Sequence, residues 1–180
     1  MRQKEEKIMN VKKRAAREAR KLLDQFNIDS PRVDVEAVAS ALGINVAYEY
    51  LDDDVSGMLV ISNHSVTIVV NANDGELRQR FTLAHELGHY KLRRNVNTNV
   101  FVDKTLTFHR DKHSSEGTYL DEIAANAFAA ELLMPSRFLE EYIYEDWYDD
   151  DVVKDIANLF GVSVPAMTFR IANLGYVDSE

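Results

Sequence analysis

Residues 75–92 constrain this chain more than any other stretch. Leu77, Phe81, Ala84, Leu87, Gly88 and Leu92 recur at helical spacing along one side, which predicts a single long helix. That helix carries His85, Glu86 and His89 in the spacing H-E-x-x-H. Residues i and i+4 stand one turn apart on one face. Both imidazoles can therefore reach one ion, with Zn–N bonds of about 2.0–2.1 Å. Glu86 is rotated by about 100° from His85. Its carboxylate is placed to take a proton from a water beside the ion, not to share the same ligand position. Alone, the motif specifies three letters and arises by chance in charged helices. Here it gains weight from the helical window, from β-like sequence just before it, and from its use of two of only five histidines. Gly88 in the helix interior costs about 1 kcal/mol relative to Ala, so close backbone packing is expected there.

A catalytic zinc site usually has three protein ligands and a water. The 180 residues include no cysteine. A disulfide scaffold, a thiol enzyme and a thiolate zinc finger are thereby excluded, and the third ligand must be His, Asp or Glu. Glu122 is the leading candidate. It lies on the next helical stretch, Asp121 to Leu133, among small residues that let two helices approach. Asp121, His109 and His113 are its rivals, and a plain surface role is the ordinary expectation for a glutamate.

The rest of the chain reads as α+β, with one small sheet in a mostly helical protein. Val11 to Phe26 has helical apolar spacing, and Asp34 can cap a second helix that stops before Gly43. Three β-like runs follow, Ile44 to Leu51, Ser56 to Ile61 and Ser65 to Asn71. The last two read as a hairpin about His64, a turn residue, and the three as a small antiparallel sheet. Residues 93–117 show no clean period and read as a functional or disordered loop. Pro135 ends the Ala-rich helix, and Ser136 can cap another, Arg137 to about Tyr144. The acidic stretch Glu140 to Asp151 reads as a linker or exposed face.

Charge is unevenly placed. Residues 1–21 carry nine Lys or Arg and three Glu, a net +6, so the remainder carries −15 of the total −9. A basic head on an acidic body can touch nucleic acid or an acidic partner, although charge runs are more often solvated faces. Hydrophobic residues at 46% and charged residues at 28% fit a globular chain and not a disordered one. No run approaches the ~20 apolar residues of a membrane span. Met1 to Met9 is charged, with no apolar stretch behind it, unlike a secretory signal. A cytoplasmic location without membrane contact is the expectation.

The tail reads helix, tight turn at Gly161, helix, with Ser163 as the cap and Pro165 in the first turn of the second. That outline is helix-turn-helix-like. Its second helix offers Thr168, Arg170 and Asn173 as the groove-reaching residues, and an acidic run precedes it. DNA binding demands clustered Lys and Arg, so packing or partner binding is favoured over direct nucleic-acid recognition.

Three stretches resemble the ImmA/IrrE-type metallopeptidases. They are Arg78 to Tyr90, then Arg110 with Ser114, Ser115 and Gly117, then Glu122 to Pro135. Val33-Asp34-Val35 with Leu42-Gly43-Ile44 also fits, so the likeness spans roughly residues 12–175. It implies a zincin-like core and a gluzincin-like site, in which the glutamate of an E-x-x-A-N motif, here Glu122, is the third ligand to one zinc per chain. Asn126, one turn on, would be structural or support a ligand. No departure occurs at the ligand positions.

The resemblance implies metal-assisted peptide hydrolysis with Glu86 as general base. His109, Arg110, His113 and Tyr119 are the candidate oxyanion stabilisers, in or beside the aperiodic stretch. The implied substrate is a protein, a helix-turn-helix transcriptional repressor cleaved at a specific site, which would make the chain an anti-repressor of a phage or mobile element or a stress-response regulator. The competing reading is a non-proteolytic regulatory binding module with a structural metal. Residues 1–145 would form the metallopeptidase domain, with 1–11 as a basic and disordered head. Residues 146–180 would form a small helical tail packed on or linked to it.

Overall fold

A computed structural model describes residues 2–62, 65–92, 100–106, 116–143 and 149–176. In chain order the elements are α1 (Arg2–Gln25), α2 (Val35–Ala41), β1 (Ile44–Glu49), β2 (Val55–Ser62), β3 (Val66–Asn71), α3 (Glu76–Leu92), β4 (Val100–Leu106), α4 (Glu116–Leu133), α5 (Ser136–Leu139), α6 (Asp150–Phe160) and α7 (Val164–Leu174). This is the expected mostly helical α+β architecture with a small sheet and a C-terminal helical pair. No single helix among the described residues is long and apolar enough to cross a membrane.

The sheet differs from expectation in two respects. It is mixed, in the order β1-β3-β2-β4, with β1 parallel to β3 and the other pairs antiparallel. The apolar run Val66 to Val70 takes an interior position, burying Ile68 and Val70, and so inserts between β1 and β2. Parallel strands need a long crossover, and here β2 itself lies in the connection. The fourth strand, β4, comes from the stretch read as aperiodic and pairs with β2.

Asn71 closes the β1–β2 corner. Its side-chain amide donates to the Val55 carbonyl at 2.7 Å and to the Asp52 carbonyl at 3.3 Å, and its Oδ1 accepts from the Leu51 amide. The caps at Asp34 and Ser163 form as expected, accepting from the Ala37 and Ala166 amides. Gly161 ends α6 at φ 65°, the left-handed cap that glycine adopts without strain.

α1 begins at Arg2, nine residues before its apolar pattern starts. The first turns are Arg, Gln, Lys and Glu, which favour helix without marking a buried face. Ala15, Ala19, Leu22 and Leu23 supply that face, and α1 lies along α4. The helix after Pro135 is only the single turn of α5. Ser136 is inside it and not its cap, because its Oγ donates to Glu131 Oε1 at 3.0 Å.

The tail joins the same core. Val153, Ile156, Phe160, Met167 and Ile171 are buried in one cluster with residues of α1 to α4. α6 and α7 meet at 102°, within the helix-turn-helix range. Of the three groove-reaching candidates, two bond back to their own helix and the third is drawn inward. Thr168 Oγ1 donates to the Val164 carbonyl, and Asn173 Nδ2 to the Phe169 carbonyl. Arg170 is 9% exposed and pairs with Glu131 Oε2 at 2.5 Å.

Candidate metal centre

α3 and α4 form the centre because they pack unusually close. A Cβ added at Gly88 would lie 3.1 Å from both the Cα and the carbonyl oxygen of Ala125. The close packing expected from Gly88 is therefore present, and its partner is the α4 backbone three residues past Glu122. His85, Glu86 and His89 sit in the buried half of α3.

The structure brings His85, His89 and Glu122 together. Glu122 Oε2 is 3.3 Å from His85 Nε2, and Glu122 Oε1 is 3.2 Å from His89 Nε2. The two Nε2 atoms are 2.9 Å apart. One donor atom from each residue falls within a 4.8 Å cluster. Tetrahedral ligands at about 2.0–2.1 Å from zinc stand roughly 3.3 Å from one another, so the triangle is sized for one ion. Asp121, the neighbouring rival, is exposed and outside the triangle.

Asn126 sits one turn beyond Glu122, and its Oδ1 lies 3.0 Å from His85 Nδ1. With that amide oxygen accepting, Nδ1 carries the proton and the Nε2 lone pair is left for a metal. Burial by itself would raise the Glu122 carboxyl. The two imidazoles against its carboxylate outweigh that effect and hold Glu122 well below the usual carboxylate range. It is thus in the ligating, ionised form at neutral pH.

Glu86 is fully buried. Its Oε1 would lie 3.8 Å from a Cβ at Gly57, and that same Cβ would lie 2.5 Å from Thr82 Cγ2 and 2.9 Å from the Val69 carbonyl oxygen. Gly57 of β2 therefore lets the sheet close over the helix face that carries Glu86. Neither Gly57 nor Thr82 is singled out by the motifs. The available signal was a glycine inside an apolar strand, which marks close backbone approach. Phe81 also flanks the centre, with ring centroids 6.0 Å from His85.

Of the oxyanion candidates, Tyr119 stands one turn before Glu122 on α4, exposed, with Lys4 Nζ 5.7 Å from its ring centroid. His109, Arg110 and His113 lie outside the described residues, as does His64.

Residues 39–172 match the family described as the IrrE N-terminal-like domain. The chain belongs to the ImmA/IrrE metallopeptidase family. One relative is "Metallopeptidase ImmA" of Bacillus subtilis (strain 168), 25% identical over 153 residues, covering 78% of this chain and 83% of the relative. Another is "Uncharacterized immunity region protein 2" of Bacillus phage phi105. It is 32% identical over 115 residues, covering 64% of this chain and 67% of that protein. In this ImmA/IrrE chain the matched region contains the whole His85–His89–Glu122 triangle, Glu86 and Asn126.

Proposed function

We propose that this ImmA/IrrE chain is a zinc peptidase that cleaves a helix-turn-helix repressor at a specific site in the cytoplasm. The observation that carries the reading is the buried Glu86 beside a complete His/His/Glu triangle. A purely structural metal site has no need of an adjoining buried carboxylate. The relative named for a phage immunity region fits a repressor as substrate.

Zinc is the metal that imidazole and carboxylate donors in a tetrahedral set suit. When bound, it would supply Lewis acidity, lowering the pKa of a water toward ~7 and polarising the scissile carbonyl. The chain's own residues do the rest. His85, His89 and Glu122 hold the ion, and Asn126 keeps His85 in the ligating tautomer. Glu86 takes the proton of the attacking water on its carboxylate and delivers it to the leaving amine.

The test is incubation of the zinc-loaded protein with helix-turn-helix repressors from the same genome. Mass spectrometry should find one pair of fragments, which a chelator and Glu86→Gln both abolish. Loss of repressor function that persists with chelator, and leaves the repressor intact, would establish a non-proteolytic binder instead.

A further inference from the structure

A cleft of about 550 Å³ opens beside the metal centre, within the size range of ligand-binding clefts. Its α4 wall is formed by Ile123, Ala127 and Ala130, and Phe81 and Phe169 line it from α3 and α7. The two rings are 37% and 71% exposed. On the α1 side it is lined by Lys12, Lys13 and Arg20, all exposed. Within the cleft, Arg170 and Glu131 neutralise each other as a buried pair. The cleft is thus an apolar channel with a cationic edge, on a chain whose net charge is −9.

The cleft is continuous with the candidate centre through two residues. Asn126 lines it and holds His85 Nδ1, and Phe81 lines it and flanks the His85 ring. Taking the centre as a peptidase site, we propose that this cleft docks a segment of the protein substrate that carries large apolar side chains flanked by Asp or Glu. The aromatic pair and the α4 wall take the apolar side chains, and Lys12, Lys13 and Arg20 pair with the acidic flanks. Opposite charge steers such a segment and fixes its register, while exposed aromatics are the usual anchors of a protein interface. A nucleic acid fits the cleft less well. Three cations around an apolar wall do not match the row of phosphate contacts that duplex binding uses.

The test uses the full-length, zinc-loaded Glu86→Gln protein, which binds without turnover. Fluorescence anisotropy is read with a labelled amphipathic peptide bearing Leu and Phe on one face and Glu on the other. The controls are its Lys counterpart and a labelled DNA duplex. The Glu peptide should bind, and bind less at high salt. Phe169→Ala should weaken it roughly tenfold, as should the triple reversal of Lys12, Lys13 and Arg20 to Glu. All four side chains are exposed, so neither variant removes buried packing. Equal binding of the Glu and Lys peptides would overturn the proposal, as would indifference to both variants. Duplex binding that needs the three cations but not Phe169 would overturn it too, in favour of a phosphate surface. Repressor cleavage without peptide docking removes the cleft alone. Docking without cleavage removes the peptidase reading and leaves the cleft as a binding surface.

Discussion

Gly88 lies against the backbone of Ala125, so near that a single added methyl would be 3.1 Å from the Ala125 Cα. This contact sets the separation of α3 and α4, and with it the distance from both imidazoles to Glu122. Gly88→Ala gains about 1 kcal/mol of helix propensity but overpacks the contact by about 1–3 kcal/mol. A net loss of stability is expected in urea titration, together with weaker zinc binding in chelator competition. Zinc affinity equal to that of the unaltered protein would show that helix spacing does not set the triangle.

Removing a ligand and removing the base should separate cleanly. His85→Ala and Glu122→Ala each leave two donors and should lose the metal on gel filtration, read by elemental analysis. Glu86→Gln should retain the metal and lose about 10²–10⁴-fold in turnover, the range for a general base. A fully active Glu86→Gln protein would end the general-base assignment.

Asn126 is exposed, yet it supports the buried His85. Asn126→Ala leaves the buried His85 Nδ1 without that acceptor, so it should cost about 1–3 kcal/mol of folding stability and weaken zinc binding by about 10–100-fold. Unchanged affinity would mean that the His85 tautomer is set by other groups.

The Arg170–Glu131 pair anchors the tail. Either Arg170→Met or Glu131→Gln leaves a buried charge without its counter-charge and should cost about 3–5 kcal/mol in denaturant unfolding. Each partner has further bonds, Arg170 Nε to the Met134 carbonyl and Glu131 Oε1 to Ser136. The double variant should therefore cost less than the sum, because the coupling between the two is lost only once. Strict additivity in that cycle would contradict direct pairing.

Gly57→Ala should push against Thr82 and the Val69 carbonyl, destabilising the protein by about 1–3 kcal/mol. Since Glu86 shares that contact, turnover should fall while metal content holds. Unaltered turnover in a folded Gly57→Ala protein would place the Glu86 carboxylate beyond the influence of β2.

Much of the centre was legible because helical periodicity is local. A spacing of four residues places His85 and His89 on one face in any α-helix, and the shortage of histidine and absence of cysteine narrowed the donors. Glu122 could be put forward but not separated from Asp121, His109 and His113, since its partners lie on another element. Its assignment in the sequence rested on family resemblance. Arg170 was misleading for the opposite reason. A cation on the second helix of a helix-turn-helix outline reads as solvent-facing, and only the position of Glu131 on α4 draws it inward.

The sequence by itself determined what is local: the long helix with its two histidines, the caps at Asp34 and Ser163, the glycine turn at Gly161, and the family. Tertiary structure alone decided which strand occupies the sheet interior, how close α3 and α4 come, and where the acidic and basic side chains of the tail and of α1 are directed. Those outcomes depend on contacts between residues far apart in the chain, such as Gly88 with Ala125 and Arg170 with Glu131. Periodicity and propensity record which face of an element is apolar, and they leave open which other face will meet it.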